Sequence, residues 1–240
     1  MFRHQGKSRT IKHNLQIAVV LSFVAGIVNV TGLLSIQTLT TNVTGHFALF
    51  ISNVASFEFW KAGLYFLYIL SFLFGSFVSG LLMAKSKENK KLNVFVLPIA
   101  IESLFLVGVA ILSQMTEPYL TACMLLFTMG LQNSYVTRIS NTVVRTTHLT
   151  GLFTDLGIEL SQLFFPASHP QQQKIRSTIK LRIYIISFFF LGGISGAFLF
   201  LGIDLKTNTL IAGAVILQAS LFYDDFRFRL IQIQRRNKRK

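Results

Sequence analysis

The stretch from Leu15 to Ile36, LQIAVVLSFVAGIVNVTGLLSI, runs for 22 residues without a charge. At about 1.5 Å per residue, a helix of that length crosses the roughly 30 Å hydrocarbon core of a bilayer. The basic segment before it, MFRHQGKSRTIKHN, resembles the opening of a signal peptide. A cleaved signal has an apolar core of only about 7–15 residues, so 15–36 reads as a retained first membrane helix.

Working outward, five more windows have the same character: 61–84, 94–113, 118–137, 183–203 and 207–223. Trp60, Tyr119, Tyr184 and Tyr223 lie near segment ends, where amphipathic rings favour the headgroup layer. Two further apolar stretches, 45–57 and 151–165, reach only about 20 Å as helices and read as half-helices that enter and return on one side. The expected fold is all-α: a single membrane domain over 1–240, with about six spanning helices and two re-entrant segments.

Composition agrees. Only 13% of the residues are charged and mean hydropathy is +0.56, against about a quarter charged in a soluble domain. The net charge of +14 would suit nucleic acid, but Lys and Arg fall between apolar spans and not on one aromatic-rich face. Nucleic acid is therefore excluded as a partner, and membrane lipid takes its place. Lys and Arg keep to the cytoplasmic side of membrane proteins. With six crossings and both ends inside, 21 of the 23 lie inside, leaving Lys61 and Lys206 outside. Eight crossings would give 16 to 7. Six crossings are expected, with 1–14 and 224–240 as basic cytoplasmic tails, the latter suited to an anionic inner leaflet.

Cys123, the single cysteine, excludes an intrachain disulfide and a cysteine metal cluster. No Walker loop, HExxH or GxSxG motif occurs, so no enzyme activity and no cofactor is expected. Asn29-Val30-Thr31 and Asn42-Val43-Thr44 match the glycosylation pattern but fall in or beside membrane segments.

An internal repeat is visible. Gly26-Ile27-Val28-Asn29 matches Gly130-Leu131-Gln132-Asn133 with a shift of 104, and Thr41-Asn42-Val43-Thr44-Gly45 matches Thr147-His148-Leu149-Thr150-Gly151 with a shift of 106. Gly75, Ser79 and Gly80 match Gly192, Gly196 and Ala197 with a shift of 117, the extra residues being absorbed by a basic loop around 166–180. Repeat 1 covers about 15–113 and repeat 2 about 118–223. Each holds three spans, so the second copy enters the membrane inverted, a plan shared by many secondary transporters.

The matched positions supply the candidate site. Thr44-Gly45 and Thr150-Gly151 open the two half-helices, with Thr as expected N-cap and glycine admitting a close ligand. The dipole at such a start favours anions or carbonyl oxygens; the alternative is that these pairs only stop and restart the chain. Asn29, Gln132 and Asn133 are buried amides that either bond each other across the repeat axis or face a substrate. Glu102, inside the third span, is expected to be neutral unless it faces water, and either to carry a proton or to accept from Asn29 or Thr31. Asp155 and Glu159 share a helix face, with Arg145 as expected partner; a salt-bridged packing role competes with cation binding. His46 and His148 flank the Thr-Gly pairs but lack a third metal ligand. Gly75-xxx-Ser79 and Gly192-xxx-Gly196 suit close packing between the halves or a homodimer seam.

These residues resemble the YoaK-like family of bacterial multi-pass membrane proteins, a DUF1275-type domain of unknown function. The likeness covers roughly 15–223 and is carried by AGIVNVTGLLSI, TTNVTGHFALFISN, GLQNSYVTR and TTHLTGLFTDLG. The family pattern has Asp where this chain has Asn29, and Asn where it has His46. If that Asp couples a proton or cation, Asn29 cannot titrate, which leaves this chain uncoupled or dependent on Glu102. The resemblance implies a bacterial inner or plasma membrane. The expected function is a small transporter or channel-like permease for a small molecule or ion, with a midplane site between inverted halves. The alternative is a non-transporting scaffold or regulator.

Overall fold

The computed structural model describes residues 10–88, 94–165 and 169–237, and these contain helices and no strand. In chain order they are α1 (Ile11–Ile36), α2 (Val43–Ala55), α3 (Phe59–Glu88), α4 (Val96–Leu112), α5 (Pro118–Ser140), α6 (Leu149–Gln162), α7 (His169–Ala197) and α8 (Thr209–Asn237). A π-helical turn, Phe198–Gly202, continues α7, and a 3₁₀ turn, Lys206–Asn208, leads into α8. Among the described residues, four stretches are long and apolar enough to cross a membrane: Ile11–Ile36, Phe59–Ser86, Gln171–Gly202 and Lys206–Arg227. The chain is an all-α polytopic membrane protein.

Local chemistry sets the helix limits. Thr10 and His13 form a capping box at the start of α1, Pro118 opens α5 without sacrificing a needed N–H, and Gln37 and Asn141 end α1 and α5 in the left-handed conformation. The basic loop expected around 166–180 is instead the opening of α7 from His169 onward. Pro170 stands in the first turn, where it is tolerated, and no Gly or Pro follows until Gly192. Residues 166–168 lie outside the described residues. α8 likewise continues past Tyr223 to Asn237 without a break.

The principal packing pairs are α1 with α7 and α3 with α5, then α4 with α8. α2 lies on α3, and α6 on α7. The main core runs through Ile17, Leu21, Val28, Ile99, Leu106, Leu125, Met129, Tyr135, Ile185, Leu210 and Leu217.

Each of the two closest pairs is a reciprocal contact between Phe-x-x-Gly elements. A Cβ added at Gly26 of α1 would overlap the carbonyl oxygen of Phe189 in α7, and one at Gly192 would overlap the carbonyl of Phe23. In the other pair, Gly75 of α3 lies on the carbonyl of Phe127 in α5, and Gly130 on that of Phe72. Backbones approach this closely in lipid only where no side chain stands between them. Ser76 adds a bond from its Oγ to the Gly130 carbonyl at 2.9 Å.

Gly75→Ala or Gly192→Ala therefore forces two backbones apart and is expected to cost at least the ~1–3 kcal/mol of core overpacking. Gly108→Ala, with nothing within 4 Å of the added Cβ, should be neutral or slightly stabilising. Thermal unfolding in detergent of the three variants beside wild type checks this ordering.

Candidate functional site

A cavity of about 920 Å³ opens where the chain leaves α1 and α5 and enters α2 and α6. Asn29 and Asn133 line it, as do Thr41 and Thr147, Thr44 and Thr150, and Phe72 and Phe189. Each of these is a pair of matched positions from the two halves of the sequence. Gly45 also lines it, with Asn42, Thr137, Arg145 and His148.

Both irregular segments are tied back to the preceding helix in the same way. The Thr41 hydroxyl donates to Asn29 Oδ1 at 2.9 Å, and the Thr147 hydroxyl donates to Asn133 Oδ1 at 2.7 Å. The bond between Asn29 and Asn133 that was one expectation does not form, because each amide oxygen is taken by its own threonine. Asn133 Nδ2 donates to the Met129 carbonyl at 3.0 Å.

Thr44 and Thr150 are not the N-caps. α2 begins one residue earlier, at Val43, where the Asn42 side chain accepts from the Gly45 N–H at 3.0 Å. α6 begins at Leu149 with His148 as its cap. Gly151 is covered by the His148 ring: a Cβ there would overlap Cδ2. Gly45 is similarly close under the Asn42 side chain.

The other candidates lie elsewhere. Gln132 is buried against α1, its Nε2 donating to the Leu21 carbonyl at 2.8 Å, and does not line the cavity. Glu102 is buried in α4 and accepts from the Tyr135 hydroxyl of α5, not from Asn29 or Thr31. Its Oε1 has no hydrogen-bond partner. Asp155 and Glu159 do share a face, but that face meets α7. Arg182 bridges both, to Asp155 Oδ2 at 2.8 Å and to Glu159 through two hydrogen bonds at 2.8 and 3.0 Å. Arg145 faces the cavity and is not their partner. His46 is buried against Tyr65 and Tyr68 with Nε2 2.9 Å from the Leu39 carbonyl oxygen. Cys123 is half-buried. Among the described residues, no group of three or more His, Cys, Asp or Glu is placed to hold a metal.

The family described as protein of unknown function, DUF1275, matches residues 17–223. The chain belongs to that family. No curated protein and no solved structure matches it.

Within this DUF1275 chain, the close helix packing expected at Gly75 and Gly192 is observed, between α3 and α5 and between α7 and α1; Phe72 and Phe189 as cavity walls, and the phenylalanine carbonyls against which the glycines pack, were not expected. The signal was present: Phe23 and Phe127 share the 104 shift of the neighbouring glycines, and Phe72 and Phe189 share the 117 shift. Arg145 was read as a salt-bridge partner, since the nearby carboxylates were visible and Arg182 was far off in sequence.

Replacing Arg182 with Met leaves Asp155 and Glu159 without their cation. The expected cost to the attachment of α6 is about 1.5 kcal/mol, the low end for charged hydrogen bonds because Asp155 is half exposed. Amide exchange over 149–162 should quicken in that variant and stay unchanged in Arg145→Met.

Proposed function

We propose that this chain is a small transporter or channel-like permease, without enzymatic activity, whose substrate passes through the cavity between two inverted halves. The observation that carries the reading is the meeting of matched polar residues, two Asn–Thr pairs and two half-helix starts, around one cavity. A duplicated, inverted architecture is supported by the packing. Exchanging α1 with α5, α2 with α6, α3 with α7 and α4 with α8 turns the α1–α7 pair into α3–α5 and the α2–α3 pair into α6–α7, and returns α4–α8 to itself.

Six crossings are supported by helix direction as well as by charge, and the cytoplasmic placing of both ends rests on charge alone. Gln132 lies beside Leu21 and Leu125 beside Gly32, so α1 and α5 run in opposite directions. Six crossings require that; eight would make them parallel. Asn29 and Asn133 each stand seven residues, about 10 Å, before the end of their helix. In antiparallel helices this brackets the central third of a roughly 30 Å core. Non-helical backbone at such depth is tolerated where protein or a wet cavity shields it, and segments 37–42 and 141–148 both border the cavity.

The threonine–asparagine bonds would serve a non-transporting scaffold equally well by pinning those segments, and the experiment separates the two. Purified protein is screened by thermal unfolding against ions, amino acids, sugars, nucleosides and organic acids, since a ligand held only by the folded state raises apparent stability. The expected result is a saturable stabilisation and uptake of that solute into proteoliposomes, both reduced at least tenfold by Asn133→Leu. A wild-type protein that binds and moves nothing, with Asn133→Leu merely less stable, moves the assignment to a scaffold.

A further inference from the structure

Taking the cavity as the substrate site, its chemistry narrows what it can hold. Among the described residues, no Asp or Glu lines it. Arg145 does, exposed, and makes no ion pair or hydrogen bond among the described residues. The carboxylates nearest in sequence, Asp155 and Glu159, are committed to Arg182. The guanidinium is thus an uncompensated positive charge with five donors and no acceptor.

The amides are biased in the same direction. Asn29 Oδ1 is occupied by the Thr41 hydroxyl, which leaves its Nδ2 hydrogens as what the side chain can offer. The first turns of both short helices border the cavity, each ending the positive side of a backbone dipole there. His148, at the start of α6, adds a ring nitrogen able to donate. A cation would meet one fixed positive charge and two positive helix ends, with hydroxyls and loop carbonyls as its remaining acceptors. A neutral solute would leave Arg145 unanswered.

We propose that the cavity binds a small oxyanion, a carboxylate or an inorganic oxyanion, held by Arg145 on one side and by Asn29 Nδ2 and the start of α2 on the other. The charge is one-sided. Leu39 occupies the position that matches Arg145 under the 106 shift, so the repeated frame offers donors from both halves and full charge from the second alone. The anion therefore sits nearer α6 than α2.

The test uses full-length protein in detergent, with acetate, malonate, phosphate and sulfate as sodium salts at fixed ionic strength. Sodium, potassium and glycerol serve as cationic and neutral probes. The expected result is saturable thermal stabilisation by at least one oxyanion, with apparent Kd raised at least tenfold in Arg145→Gln and changed less than threefold in Arg145→Lys. Asn29→Asp keeps an acceptor for Thr41 but puts a negative charge in the cavity, and should abolish the effect. Because Arg145 is exposed and takes no part in core packing, Arg145→Gln is expected to unfold near the wild-type temperature without ligand. Stabilisation by a cation or by glycerol that Arg145→Gln leaves unchanged overturns the oxyanion while leaving the cavity a transport site. Oxyanion binding retained by both Arg145→Gln and Asn29→Asp places it elsewhere and overturns the proposal. If no probe of any charge stabilises wild type and the wider solute screen is also blank, both readings fall; if the wider screen alone succeeds, only the oxyanion does.

Discussion

In a bilayer the lipid tails are as apolar as leucine, so burying apolar surface gives two helices little reason to associate, and close backbone packing has to supply it. Here the requirement falls on four glycines. Gly26 and Gly192 bring α1 against α7, and Gly75 and Gly130 bring α3 against α5, each resting on a phenylalanine carbonyl. The same phenylalanines do a second job: Phe72 and Phe189 form walls of the cavity. Packing and site are therefore one construction, and the width of the cavity follows from how closely these helices cross.

The polar groups that border the cavity fit within that frame through short-range hydrogen bonds. Asn29 and Asn133 receive threonine hydroxyls from segments 37–42 and 141–148, and Asn42 closes the first turn of α2; away from the cavity, Gln132 donates to the Leu21 carbonyl of α1 and leaves its Oε1 without a hydrogen-bond partner. A buried polar group left alone is costly in a low-dielectric interior. Glu102 stands apart: it is joined to Tyr135 by a hydrogen bond that links α4 to α5, and it is not among the cavity-lining residues.

How much of this was legible depended on the range of the interaction. Long uncharged runs gave away the helices, and the paired Thr-Gly and Asn elements gave away both short helices and most of the cavity, because each is encoded within a dozen residues. Partners from distant segments were not legible. Nothing near Glu102 points to Tyr135, and nothing near Asp155 points to Arg182 when Arg145 is closer along the chain. Thr44 and Asn42 are both good caps on composition, and only the backbone angle at Asn42 decides between them. The basic stretch around 166–180 reads as a loop on charge alone, whereas the Gln, Lys, Arg and Ile within it continue a helix readily.

The α1–α7 contact also dictates when the protein can be finished. Phe23 and Gly192 are roughly 170 residues apart in the chain, and at about 5–20 residues per second a ribosome needs on the order of 10–30 s to span that distance. Throughout that interval the first helix has entered the bilayer with its glycine groove vacant, since the helix that fills it has not been made. α3 and α5 can meet much sooner. In synthesis order α3 and α5 therefore become able to pair before α1 and α7 do, and the groove of α1 stays open to lipid in the meantime.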